Sequence, residues 1–169
     1  MLKLLNADKS LLLTEYCVER FGMQKDIFEE YTLYEGSKNK IYIIKKLNNL
    51  KFNPESSGLC IFRFDKTPKP TTNFLQLFGL KIKKNFLDVN KINLIEYCKG
   101  NDLKINIKRK TIEPGFIAIR YNENIIGCAH WNKNTIKIVS QFYSNLKKIF
   151  FHKSRINSRF FSIMIVERE

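Results

Sequence analysis

Early in the chain, apolar residues recur at helical spacing. Between Leu11 and Phe28 they fall at Leu12, Leu13, Tyr16, Cys17 and Phe21, with charged residues between them. This predicts an amphipathic helix that Gly22 ends. Two short β-type runs follow, Tyr31 to Tyr34 and Lys40 to Ile44, on either side of Glu35-Gly36-Ser37, and these predict a hairpin. Beyond the polar stretch Pro54 to Gly58, Leu59 to Phe64 reads as a further strand. Lys66 to Pro70 reads as a rigid connector. Thr71 or Thr72 is placed to cap a short helix from about Asn73 to Leu77, ended by Gly79. Together these elements predict a compact α/β unit.

A second unit follows. Asn85 to Val89 reads as a strand, and Asn90 to Tyr97 as a short helix stopped by Lys99-Gly100. Leu103 to Ile107 reads as another strand. The strongest local pattern is Phe116 to Trp131, where two apolar runs flank Asn122-Glu123-Asn124 and predict a β-hairpin. Gly127 lies within its second strand, a position that suits a bulge or a close approach of other atoms. Thr135 to Val139 and Phe160 to Val166 complete the predicted strands. Short strands with one short helix suit a small, partly closed barrel. The expected fold class is therefore α+β, with an α/β unit over 1–84 and a small β-barrel over 85–169.

Composition adds a partner. Hydrophobic residues make up 44% of the 169 and aromatics 13%, a globular composition. Thirty Lys and Arg against sixteen Asp and Glu give a formal net charge of +14. Such a chain attracts polyanions, most commonly nucleic acid and more rarely an anionic membrane. General enrichment in Lys, Asn and Ile accounts for part of the excess, although enrichment of that kind usually raises Glu together with Lys. No apolar run reaches the length of a membrane span and no signal peptide is read, so a cytoplasmic protein is expected.

Catalytic chemistry finds little support. Cys17, Cys60, Cys98 and Cys128 are widely spaced and set among apolar neighbours. This is the pattern of buried thiols rather than of a zinc site, which needs grouped ligands. No G-x-G-x-x-G or G-x-x-x-x-G-K-[ST] occurs, and no Pro-Cys pair. His130 and His152 stand alone; His130 reads as a packing or surface residue, with a general base as the alternative. Lys69-Pro70-Thr71-Thr72 reads either as an ordinary helix cap or as an anion site. Neither a metal nor a cofactor is expected.

The helix and turn Leu94 to Gly100, the following Asp102-Leu103-Lys104-Ile105, and the segment GFIAIRYNENIIGCAHW from Gly115 to Trp131 resemble the PUA domain. That family's pattern is a helix ending in Gly, then a strand, then an apolar hairpin whose second strand carries a Gly. The stretch KPTTNFLQLFGLKIKKNFLDVN, Lys69 to Asn90, is similar to the junction between pre-PUA and PUA domains in archaeal ribosome-biogenesis proteins. Those proteins are similar in turn to the C-terminal extension of Fmu/Sun-type ribosomal RNA cytosine methyltransferases. The resemblance is firmest over 69–131, and the segment after Val139 lacks the small, Pro-containing ending of the family. It implies a pre-PUA unit followed by a PUA-like barrel, binding of structured RNA such as rRNA or tRNA, and no catalytic residues.

Phosphate contacts need cations gathered on one surface. Lys81 to Lys110 holds nine basic residues against three acids, and Asn124 to Val166 runs for forty-three residues without an acid. The RNA-binding residues expected from these segments are Lys83, Lys84, Lys108, Arg109, Lys110, Lys133, Lys137, Lys147 and Lys148. The helix-to-strand turn Lys99, Gly100 and Asn101 joins them, because PUA domains use that loop against RNA. Among the aromatics near basic residues (Phe116, Tyr121, Trp131, Phe142, Tyr143, Phe150, Phe151), Trp131 is the one expected to stack on a base. The expected function is a non-catalytic RNA-binding protein of ribosome biogenesis or RNA modification, whose partners are RNA and a ribosome-assembly protein or RNA methyltransferase. The alternative is an assembly factor, an accessory subunit of such a methyltransferase, whose charge is compositional.

Overall fold

The computed structural model describes residues 2–46, 58–105 and 112–139. The fold is mixed α/β, with two sheets and three α-helices among these residues.

Strand β1 (Lys3–Leu4) leads into α1 (Ala7–Phe21). This helix starts earlier than the apolar spacing suggested, because the Asn6 side chain caps it by accepting from the Asp8 N–H at 2.7 Å. It ends at Gly22, which takes a left-handed φ of 64°. The buried line is Leu13, Cys17 and Phe21, whereas Leu12, read as part of the apolar face, is 51% exposed. Residues four apart stack on one face, and Leu12 lies a third of a turn away from that line.

The predicted hairpin forms as β2 (Tyr31–Glu35) and β3 (Lys40–Lys45), and β4 (Leu59–Phe64) falls where the sequence placed a strand. The connector reading of Lys66 to Pro70 is corrected. Pro68–Pro70 forms β5, antiparallel to β4, with Phe62 opposite Pro70 and Phe64 opposite Pro68. Prolines fit there because β5 is the outermost strand of the β1-β2-β3-β4-β5 sheet and, among the described residues, has no second neighbour requiring N–H donors. Helix α2 (Thr72–Leu77) follows, with Thr71 rather than Thr72 as its cap. Phe21, Phe62 and Phe74 are fully buried where α1, α2 and this sheet meet, and the Phe62 and Phe74 rings lie 4.4 Å apart.

The second sheet has the order β6-β7-β8-β9: β6 (Phe86–Asp88), β7 (Gly115–Tyr121), β8 (Asn124–Trp131) and β9 (Ile136–Ile138). Strands β6 and β7 run parallel, separated by α3 (Lys91–Lys99), and the other pairs are antiparallel. The β7–β8 turn is tighter than the three residues read from sequence. Asn122 and Glu123 alone form it, both at positive φ (44° and 65°), the geometry whose twist matches a hairpin. One residue is extra on β8: Ile119 faces Gly127 while Arg120 faces Ile125, so Ile126 bulges.

Both faces of this hairpin are buried, which explains why its apolar runs are nearly continuous. Ala118, Ile125 and Cys128 join the core of the first sheet. Ile117, Ile119, Ile126, Ala129 and Trp131 form a second core with Leu87, Tyr97, Leu103 and Ile136. Among the described residues this sheet is open rather than a closed barrel, with β6 and β9 as its outer strands. Of the strand expected over Leu103 to Ile107, the described part forms a single bridge, Leu103 to Ile136, with Lys104 and Ile105 outside any strand. Residues 106–107 and the strand expected at Phe160 to Val166 lie outside the described residues. No helix among the described residues is long and apolar enough to cross a membrane.

Candidate nucleic-acid interface

Lys83 and Lys84 follow the 3-10 turn Gly79–Lys81 and are anchored by their own backbones. Both N–H groups donate to the Phe21 carbonyl, at 2.9 and 3.2 Å, so the two residues sit at the C-terminal end of α1 with exposed side chains. Cations are favoured at this electronegative end of a helix. The next residue fixes the platform. Asn85 is 1% exposed and left-handed at φ 56°; its side chain donates to the Arg20 carbonyl at 2.7 Å and accepts from the Glu113 N–H at 2.7 Å. Arg20 reaches the same segment, donating to the carbonyls of Glu113, Pro114 and Phe116 at 2.7, 3.0 and 2.6 Å. Burial lowers the pKa of this guanidinium, with attraction from Tyr16 and Glu113 acting the other way.

The turn Lys99-Gly100-Asn101 is held tightly to α3. Gly100 is left-handed (φ 85°) and donates to the Tyr97 carbonyl, while the Asn101 N–H reaches the Glu96 carbonyl, a Schellman ending. The Glu96 carboxylate accepts from Lys99 Nζ at 2.9 Å and from Asn101 Nδ2 at 2.7 Å. These hydrogen bonds, from Lys99 first and Asn101 second, hold the Glu96 carboxyl below its usual range. The Lys99 charge is thereby shared with the fold.

A second group of cations gathers at β9. Leu103 pairs with Ile136 and Asp102 accepts from the Ile138 N–H at 3.3 Å, which brings the loop after α3 alongside Lys137. Lys133, at φ 77°, projects from a turn whose Asn132 side chain accepts from the N–H groups of Asn134 and Thr135. Lys104, Lys133 and Lys137 are all exposed. Trp131 is only 9% exposed, and its ring belongs to the second core. Lys108, Arg109, Lys110, Lys147 and Lys148 lie outside the described residues, as do Phe142, Tyr143, Phe150 and Phe151.

The other positions singled out from sequence have local partners. His130 packs edge-on to Phe116 with ring centroids 5.1 Å apart, and it sits opposite Lys137 on β9. The Thr71 hydroxyl accepts from the Phe74 N–H and Lys69 pairs with Asp65 at 2.9 Å, so both are occupied. The cysteines are free thiols; burial raises the pKa of Cys17 and Cys128 most strongly and also raises Cys60 and Cys98. Among the described residues no group of three or more His, Cys, Asp or Glu could hold a metal ion.

Sequence reasoning passed over one arrangement. Arg120 lies over the Phe86 ring, 3.8 Å from its centroid, and Asp88 grips it through two hydrogen bonds of 2.6 and 3.0 Å. Its signal was a lone cation inside the apolar run Phe116 to Tyr121. No protein-family model matches this chain, and none of the curated proteins compared with it does so either.

Proposed function

We propose that this chain is a non-catalytic RNA-binding protein, a pre-PUA unit followed by a PUA-type unit, acting on rRNA or tRNA in the cytoplasm. The observation that carries this reading is how the charges are distributed. The acids near the expected RNA-binding lysines are engaged: Asp88 with Arg120, Glu96 with Lys99, and Asp102 with the backbone of β9. Lys83, Lys84, Lys104, Lys133 and Lys137 are exposed and have no acidic partner among the described residues. Their mechanism is positioning: they neutralise phosphates while the loops meet RNA shape or an exposed end. An RNA methyltransferase or a ribosome-assembly protein is the proposed protein partner.

The test is RNA affinity across a salt series. Submicromolar binding to rRNA or tRNA fragments that weakens steeply with salt is expected; no binding at low salt rejects the reading. A second reading, an assembly factor with compositional charge, draws on Leu4, Leu11 and Leu12, which are 70%, 59% and 51% exposed in the N-terminal half. It predicts recovery of a single protein without RNA from a native lysate.

A further inference from the structure

Between the turn Gly79–Lys81 and the tip of the β7–β8 hairpin lies a groove of about 250 Å³, lined by Leu80, Phe86, Arg120 and Glu123 among others. Clefts that take drug-sized ligands run to ~300–1,000 Å³, so this one suits a single flat ring system. Its wall is already arranged for stacking. The Arg120 guanidinium is layered on Phe86, and Asp88 fixes its plane through two hydrogen bonds. Beside it Leu80 is 99% exposed.

The electrostatics select which part of a nucleotide enters. Asp88 offsets the Arg120 charge, and Glu123 adds an acid to the groove, so a phosphate is repelled from it. Lys81, Lys83 and Lys84 are exposed on the turn that forms one wall and on the segment just after it, where they would take flanking phosphates. A base edge rather than the backbone therefore faces Glu123.

We propose that this groove binds one unpaired guanine of an RNA strand. The proposal rests on the RNA-binding reading above. The guanine ring stacks against Arg120 and Leu80. Its N1–H and exocyclic N2 amino group donate side by side to the Glu123 carboxylate, which is acceptor-only. No other standard base offers two adjacent donors on its Watson–Crick edge: adenine and cytosine pair one donor with an acceptor, and uracil sets one N–H between two carbonyls.

The test is fluorescence anisotropy with short oligouridylates carrying one central guanine, adenine or inosine, the last lacking the N2 amino group. The native protein is expected to bind the guanine strand about 10-fold more tightly than the adenine strand, with inosine between them. Glu123→Gln, at an exposed turn, should abolish the preference for the guanine strand over the adenine strand. Arg120→Lys keeps the charge but loses the plane, and should weaken the guanine strand more than the adenine strand. Equal affinity for guanine and adenine strands, with binding still steep in salt, overturns the guanine site and leaves RNA binding standing. An equal loss on both strands in Glu123→Gln also overturns it. Absence of binding to any of these strands at low salt also overturns the guanine site, while the salt series on rRNA or tRNA fragments decides the RNA-binding reading separately.

Discussion

The Tyr97 hydroxyl donates to the Cys128 carbonyl at 3.1 Å, and in doing so occupies the space that a β-carbon on Gly127 would need. The glycine is thus required by a neighbour on α3 rather than by its own backbone angles. Gly127→Ala is expected to destabilise the protein by about 2 kcal/mol through overpacking. Tyr97→Phe removes the nearest clashing atom and one buried hydrogen bond, a loss of ~1 kcal/mol. The double variant should be more stable than the sum of the two predicts, by at least ~0.5 kcal/mol. Urea unfolding midpoints of the four proteins measure this, and strict additivity contradicts the clash.

Arg20 serves three carbonyls with one planar fork, a task a single ammonium cannot perform. Arg20→Lys should lower stability by about 1 kcal/mol, because two of the three carbonyls lose their donor where water can partly replace it. The slope of RNA affinity against salt should remain that of the native protein. A shallower slope would mean that Arg20 itself binds phosphate.

The exposed lysines are expected to behave differently. Charge removal at Lys83 and Lys84 together should reduce the logarithmic salt slope by roughly 2, one for each phosphate no longer neutralised. Lys99→Ala should change it less, since Glu96 and the helix end already share that charge. Binding titrations at several salt concentrations separate the two variants, and thermal melts confirm that both remain folded.

Glu96 provides a pH signature. Its carboxyl is held below the ordinary value of 4.5 by the hydrogen bonds from Lys99 and Asn101. A lowered folded-state pKa contributes stability above the unfolded value and loses it as pH falls through the folded one. The Gly100 turn should therefore loosen only in acid below about pH 4.5. Carboxyl-carbon NMR should show Glu96 titrating below 4.5 in the native protein, and closer to 4.5 in Lys99→Ala.

Local signals in the sequence located most elements, because their causes are local. Asn90 and Gly100 bracket α3, and the doubly buried hairpin announces itself by unbroken apolar runs. Strand β5 escaped detection because two prolines argue against a strand wherever the strand's edge position is unknown. The parallel pairing of β6 with β7 had no local mark, since nothing in Phe86 to Asp88 names a partner about thirty residues away. The site was legible in its charges and less so in its geometry. A count of lysines cannot show that Lys99 is paired, that Trp131 faces inward, or that Asn85 and Arg20 fix the platform beneath Lys83 and Lys84. Arg120 resting on Phe86 joins two strands that only the fold brings together.

The first core draws three of its members, Ala118, Ile125 and Cys128, from the β7–β8 hairpin. During synthesis the N-terminal sheet and its two helices leave the ribosome before that hairpin exists. At roughly 5–20 residues per second, some forty more residues take about 2–8 seconds to appear. Throughout that interval helix α2, against which β8 packs, lacks its final cover. The order of translation thus sets a waiting period for this chain, during which a chaperone has its clearest opportunity to engage it.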